Sequence, residues 1–276
     1  MKLFAPAKVN LSLRVLGKRA DGYHALESLM APVSLYDEIT MDIHPGTSGF
    51  DLTCSDPTIP CDASNLALVA VRIFCEETGV SIGGKIHIDK NIPHGAGLGG
   101  GSSDAATVLL ALEQHAGTNL DVTELERIAA RIGSDVPFFV RGGAAWITGR
   151  GEHVVPHVLP QDYNLVLIKP PFAVSTAWAF AAWSKQSPRS ESAVTRYGDL
   201  DWINDLETPV FEKFILLPIL CEWLRDQPGV KVARMSGSGS TVFGVCESPR
   251  DSDYLVSSAR GYLADTFQII AVKTAG

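Results

Sequence analysis

Residues 93–103 read Pro-His-Gly-Ala-Gly-Leu-Gly-Gly-Gly-Ser-Ser, and Asp104-Ala-Ala-Thr-Val-Leu-Leu-Ala-Leu-Glu113 follows without a break. Chemically this is an anion cradle. Five glycines in eleven residues leave out the Cβ atoms that would keep backbone N–H groups away from a ligand. Ser102 and Ser103 add hydroxyls where a helix leaves its first N–H groups unpaired. Partial positive charge collects at such a helix start and suits a phosphate.

Other phosphate loops fit less well. Residues 95–100 satisfy G-x-G-x-x-G, and Asp121 stands about where a dinucleotide fold keeps its ribose-binding acid. But Asn119-Leu-Asp121-Val-Thr123-Glu-Leu reads as the capped start of a helix, not the end of a second parallel strand. No Gly-Lys-Ser/Thr closes the segment, which excludes a Walker A loop. A flexible linker fails too, because the loop runs into an apolar helix with Val108, Leu109 and Leu112 on one side. The second glycine loop, Ser236-Gly-Ser-Gly-Ser-Thr241, lacks the glycine two residues before a central serine, so it is no hydrolase nucleophile elbow.

Other reactive side chains are ambiguous by type alone. Asp135, before Val136-Pro137, could simply cap a turn ahead of a Phe138-Phe139 strand. Lys8, at the head of a strand, would ordinarily be a solvated edge lysine. Tyr23 and His24 could be a core aromatic and a surface histidine, yet beside Asp21-Gly22 in a tight turn they project together, which suits a planar ligand. His44, His87, His94, His115, His153 and His157 show no ligand spacing, so no protein-built metal site is expected.

The elements that position these groups follow from periodicity. Residues 8–16 alternate as a strand and 17–22 read as a polar turn, the start of a hairpin. Residues 38–44 and 84–90 alternate likewise, and the latter feed straight into the glycine loop. Between them, residues 65–78 put Leu66, Val69, Ala70, Ile73 and Phe74 on one helical stripe. A helix is expected over 124–132, strands over 143–147 and 164–168, and a surface excursion over 184–199. A strand over 230–235 enters the second glycine loop. Without a regular βαβ rhythm the class is α+β, in two domains meeting near residues 148–160.

Bulk composition narrows the partners. The 276 residues are 46% hydrophobic and 20% charged, as in an ordinary globular protein. Lys and Arg total 23 against 31 Asp and Glu, a formal charge of −8 with no basic run. This argues against nucleic acid or an anionic membrane as partner, and an anionic substrate would need local basic groups. The five cysteines, Cys54, Cys61, Cys75, Cys221 and Cys246, form no C-x-x-C pair and are expected to be reduced and mostly buried. The first eight residues lack the apolar stretch of a secretory signal, and residues 214–224 carry Pro218 and Glu222 and are too short to span a bilayer. A soluble, cytoplasmic protein is expected.

Three segments together resemble the motifs of the GHMP kinases: Pro6-Ala-Lys8-Val-Asn10-Leu-Ser-Leu, residues 93–106, and Met235-Ser-Gly-Ser-Gly-Ser-Thr241. The matches run in family order from about residue 5 to residue 244, nearly the whole chain. Arg19-Ala-Asp-Gly-Tyr23-His24 and Ser134-Asp135-Val-Pro-Phe-Phe are similar to the branch whose acceptor is a cytidine diphosphate-linked methylerythritol. The resemblance implies a ribosomal-S5-like domain over 1–152, a ferredoxin-like domain over 153–276, and an active site in the cleft. It implies transfer of the γ-phosphoryl group of ATP, bound as its Mg²⁺ complex, to the tertiary 2-hydroxyl of the erythritol unit, in non-mevalonate isoprenoid precursor synthesis.

By matching position, Asp135 would be the general base and Lys8 its cationic partner. Pro93, His94, Gly95, Ala96, Gly97, Leu98, Gly99, Gly100, Gly101, Ser102 and Ser103 would wrap the ATP phosphates, with Asn65, Leu66 and Lys90 lining the nucleotide pocket. Asn10 would hold the erythritol part, with Thr176, Ser238 and Gly239 also on the acceptor side. Tyr23 and His24 would recognise cytosine, with Phe180 as second stacking aromatic and Phe172 or Trp178 as substitutes. A homoserine or mevalonate kinase would share the glycine loop but has no reason for Tyr23-His24. A non-enzymatic nucleotide-binding module could dispense with Lys8 and Asp135.

Overall fold

In the computed structural model, which describes residues 1–47, 49–186 and 192–275, the chain opens on a long antiparallel hairpin. β1 (Lys2–Lys18) and β2 (His24–Pro45) pair from Lys2↔Thr40 to Lys18↔His24. Alternation along β1 sends Ala7, Val9 and Leu11 to one face, where all three are buried, and Lys8 and Asn10 to the other. A bulge between Asn10 and Ser12 bends the strand beside them. Lys8 is therefore in mid-strand and 4% exposed, not a solvated residue at an edge.

β3 (Gly49–Cys54) and β4 (Ile82–Asp89) extend the sheet beyond β2, and α1 (Leu66–Thr78) connects them. Asn65 caps α1 by accepting the Ala67 N–H at 3.0 Å, and Ala70, Ile73 and Phe74 of the expected stripe are buried. The glycine loop leads into α2 (Gly100–Ala116), followed by α3 (Val122–Ile132) and α4 (Val136–Arg141). Asp121 and Glu124 form a capping box at the start of α3, so Asp121 is a helix cap and the dinucleotide reading falls. Phe138 and Phe139, expected in a strand, lie in α4. Pro137 in the first turn favours a helix there, and an apolar run this short has no period that separates the two states.

β5 (Ala145–Gly149) pairs with the start of β2, and β6 (His153–Pro156) pairs with β5. The chain then builds β7 (Asn164–Lys169), α5 (Thr176–Lys185), β8 (Thr195–Tyr197), β9 (Leu200–Asn204), α6 (Glu207–Lys213) and α7 (Leu216–Arg225). It ends with β10 (Val230–Met235), β11 (Val242–Cys246), α8 (Pro249–Tyr262) and β12 (Gln268–Lys273). The first sheet runs β3-β4-β2-β1-β9-β8 with β5 and β6 attached at β2, and the second runs β10-β11-β7-β12. β9 lies parallel to β1 at Ser12↔Ile203 and Leu13↔Asn204, so the second half of the chain completes the first sheet. A line between residues 152 and 153 falls within the β5–β6 hairpin.

The expected surface excursion divides in three. Ser184 and Lys185 finish α5, residues 187–191 lie outside the described residues, and residues 195–197 form a strand whose Tyr197 ring packs near that of buried Tyr163.

Three apolar clusters hold the layers together. One lies between the first sheet and α1 to α4, around Phe74, Ile86, Leu109 and Phe138. A second joins the two sheets through Val9, Leu11, Leu165, Trp202 and Phe243. The third joins the second sheet to α5 to α8 through Ile168, Leu217, Val242 and Leu255. Of the cysteines only Cys221 and Cys246 are buried; Cys54 and Cys75 are half-buried and Cys61 is exposed, so the expectation of mostly buried thiols fails in the N-terminal half. Cys54 ends the edge strand β3, Cys61 lies in its connection to α1, and Cys75 lies within α1. Among the described residues no helix is long and apolar enough to cross a membrane.

Candidate active site

The two glycine loops touch backbone to backbone. Gly97 has φ +77°, and a Cβ there would lie 2.2 Å from the Ser236 carbonyl oxygen. The Thr241 N–H donates to the Ala96 carbonyl at 3.2 Å and the Ser236 hydroxyl to the Gly97 carbonyl at 3.0 Å. Gly99, at φ +73°, ends the first loop and precedes α2; a Cβ there would meet the Phe139 ring at 2.9 Å and Lys8 Cγ at 3.0 Å. The Lys8 N–H donates to the Leu98 carbonyl at 2.9 Å, which fastens β1 to the loop. Only glycine permits both the turn and these approaches.

A polar chain crosses the hairpin beneath that contact. Lys8 Nζ donates to Asn10 Oδ1 at 2.6 Å, Asn10 Nδ2 to Ser28 Oγ at 2.9 Å, and Ser28 Oγ to the Ser12 carbonyl at 2.6 Å. Lys8 Nζ is 3.8 Å from Asp135 Oδ2. Burial pushes the Lys8 pKa down, and the Asp135 carboxylate opposes that without cancelling it. Asp135 stands just before α4, yet its side chain makes no capping bond and remains 39% exposed. The carboxylate thus faces Lys8 and open space, not the helix it precedes.

Buried groups hold the second loop. Asn204 Nδ2 donates to the carbonyls of Met235 and Gly237, both at 2.8 Å. Glu207 accepts the Met235 N–H at 2.8 Å and Arg234 Nη1 at 3.1 Å; burial pushes its pKa up against the pull of that guanidinium. Ser238 Oγ and Thr176 Oγ1 are hydrogen-bonded at 2.8 Å, linking the loop to α5. A Cβ on Gly237 would lie 3.2 Å from Asn10 Oδ1 and 3.4 Å from Lys8 Nζ, so this loop closes over the polar chain.

Aromatic groups gather at the turn of the hairpin. The His24 and Phe180 rings stack with centroids 5.1 Å apart, Trp183 stands edge-on to His24, and His24 Nε2 lies 2.5 Å from Ser184 Oγ. Tyr23 is half exposed with the Arg150 guanidinium 5.0 Å from its ring centre. Phe172 and Trp178 instead pack on Phe214.

One cavity of about 860 Å³ joins these parts. Lys8, Asn10, Tyr23, His24, Leu66, Lys90, residues 93–102, Asp135, Thr176, Phe180 and Ser238 line it, so most of the expected residues converge. Phe180 lines it while Phe172 and Trp178 do not. Asn65, Ser103 and Gly239 do not line it either. Asn65 is occupied in capping α1, Ser103 is fully buried, and Gly239 is turned toward Met235 Sδ, 2.7 Å from where its Cβ would be. Lys90 reaches the wall, but its ammonium is bound by Asp37 and Asp104.

The sequence did not single out Lys18, Ser28, Arg150 or Lys185, which also line the cavity. Arg150 had a signal, a cation set between Gly149 and Gly151 at the end of β5. Together Lys18, Arg150 and Lys185 supply the local basic groups that an overall charge of −8 lacks.

Residues 65–143 match the family model described as the GHMP kinases N terminal domain, and residues 191–264 match GHMP kinases C terminal. A relative from Methylacidiphilum infernorum (isolate V4), named 4-diphosphocytidyl-2-C-methyl-D-erythritol kinase, is 42% identical over 271 residues, 94% of this chain and 92% of its own. The crystal structure of a 4-(cytidine 5'-diphospho)-2C-methyl-D-erythritol kinase matches the whole of both chains with a TM-score of 0.82 at 34% identity. A homoserine kinase from Cytophaga hutchinsonii matches with a TM-score of 0.75 but at 19% identity, over 100% of this chain and 94% of its own, which shows the shared fold alone.

Proposed function

The chain belongs to the 4-diphosphocytidyl-2-C-methyl-D-erythritol kinases of the GHMP kinase superfamily, and from that premise we propose which of its residues do the work. It is an ATP-dependent kinase that phosphorylates the 2-hydroxyl of 4-diphosphocytidyl-2-C-methyl-D-erythritol in isoprenoid precursor synthesis. The assignment of residues rests on one observation above all: a single cavity is lined by the glycine loop, the Lys8–Asp135 pair and the His24–Phe180 aromatics.

In this proposal residues 1–152 carry Lys8, the phosphate loop and Asp135, and residues 153–276 supply Phe180, Thr176 and the second loop. ATP would enter as its magnesium complex, whose ion would supply positive charge against the phosphates; the loop's backbone N–H groups and the start of α2 suit such a ligand. A cytoplasmic location and small-molecule partners, not nucleic acid or membrane, belong to the same reading.

Phosphoryl transfer spreads charge over the migrating group, so positioning and electrostatic stabilisation dominate. A tertiary alcohol is a poor nucleophile at neutral pH. Asp135 takes its proton, and the Lys8 ammonium, 3.8 Å from that carboxylate, turns its charge to the transferring group. Asn10, oriented by Ser28, fixes the Lys8 ammonium and presents the erythritol part. Lys18, Arg150 and Lys185 answer the diphosphate charge of the acceptor.

The base-reading end is tested with acceptors. Stacking contributes about 1 to 3 kcal/mol per base, so Tyr23→Ala and Phe180→Ala should each raise the acceptor KM by roughly tenfold to a hundredfold. The ATP KM should stay within about twofold. A coupled ADP-release assay over 4-diphosphocytidyl-2-C-methyl-D-erythritol, mevalonate and homoserine should show turnover with the first alone. Comparable rates on all three acceptors would overturn the reading.

A further inference from the structure

Lys90 Nζ lies between two buried carboxylates. Asp37, on β2 and fully buried, takes the ammonium on Oδ2, while its Oδ1 accepts the backbone N–H groups of Asn91 at 2.7 Å and Ile92 at 2.8 Å. Asp104, in the second turn of α2, accepts Lys90 on Oδ2 at 2.8 Å, and its Oδ1 is buried with no hydrogen-bond partner among the described residues. The side chains of Lys90 and Asp104 are each 6% exposed. Lys90 Nζ is also 3.2 Å from where a Cβ on Gly100 would stand, so the ammonium sits directly against the first residue of α2.

This arrangement ties both ends of the phosphate loop to one point. Ile92 precedes the loop and is held by Asp37; Asp104 follows it and is held by Lys90. The sheet, through β2, anchors both. We propose that Asp37, Lys90 and Asp104 are positioning residues that fix the two ends of the phosphate loop, and that the cluster takes up a proton when the phosphates of ATP reach the start of α2. The inference rests on reading that loop as the ATP site.

The charge balance gives the physical reason. Two carboxylates and one ammonium leave one buried negative charge behind the loop, and an arriving polyphosphate is repelled by it. Burial pushes the Asp104 carboxyl up to about 7; Lys90 opposes that rise and Asp37 adds to it. The charged groups facing Asp104 are Lys90, from the β4–α2 connection, and Asp37, from β2, while Lys8, from β1, reaches the loop at Gly99. Incoming phosphate favours the protonated carboxyl further, so above neutrality a proton passes from solvent to Asp104 as ATP binds. Because the bound state holds more protons, affinity must rise as pH falls from 8.5 towards 6.5.

Isothermal titration of the wild-type protein with MgATP, without acceptor, at pH 8 in two buffers of different ionisation enthalpy reads this directly. The expected result is uptake of a measurable fraction of a proton, with ATP bound roughly five- to tenfold more tightly at pH 6.5 than at pH 8.5. Asp104→Asn should abolish both the uptake and the pH dependence. Lys90→Met should raise the ATP KM by about tenfold or more with the acceptor KM unchanged. ATP binding without proton uptake in the wild type, the same uptake in Asp104→Asn, or equal rises in both KM values for Lys90→Met would overturn the inference. The first of these needs no variant to fold. A wild-type protein that binds no ATP at all would instead sink the assignment of the loop, and the inference with it.

Discussion

Asp135→Asn should lower kcat by roughly 10² to 10⁴ while ATP affinity changes little, because general-base assistance is typically worth that factor. The substitution keeps the side chain's shape. It should also leave the fold alone, since Asp135 makes no capping bond to α4 and is more than a third exposed. Lys8 retains its bond to Asn10 and loses only a carboxylate at 3.8 Å. Steady-state turnover with both substrates saturating, beside an unchanged melting temperature, checks the prediction. Near-wild-type turnover in the folded variant would mean that another group takes the proton.

The second large effect concerns Gly97. Gly97→Ala should abolish most activity and lower the melting temperature, because its Cβ would drive into the Ser236 carbonyl 2.2 Å away and force the two loops apart. Left-handed backbone strain and overpacking together cost about 2 to 5 kcal/mol, equivalent to a fall of roughly 5 to 15 °C in Tm. Gly79→Ala provides the control. Gly79 also has positive φ, +71°, in the left-handed helical region, and among the described residues open space surrounds its Cβ position out to 4 Å, so it should carry only the backbone strain. If the two variants lose equal stability, measured by calorimetry, the contact between the loops contributes nothing.

The residues of this site were legible where chemistry and local pattern coincide. Alternation in β1 and the glycines before α2 are short-range signals, and the structure uses both at close to their expected positions. The capping box at Asp121 and Glu124 was likewise readable and removed the dinucleotide alternative. The misread element was α4, six residues of mostly apolar character, where neither the helical nor the strand period can develop. What escaped altogether depends on distant contacts. Residues 96–97 and 236–241 meet across 139 positions at the Ser236–Gly97 bond. Asp37 reaches Lys90 across 53, and nothing local marks either residue as half of a buried ion pair. The return of β9 to β1 is similar: two parallel pairings, Ser12↔Ile203 and Leu13↔Asn204, place Asn204 where it can hold the second loop over Lys8.

Lys8 and Asp135 are proposed to act as one unit on the acceptor hydroxyl. The decisive measurement is kcat for Lys8→Met, Asp135→Asn and the double variant, each purified and shown to be folded. Lys8→Met removes the ammonium beside Asp135 that steadies the transferring group, so it should lower kcat on its own. If the two residues share one function, the double variant should be scarcely slower than the poorer single variant. Losses that multiply, each substitution costing the same factor whether or not the other is present, would contradict the account.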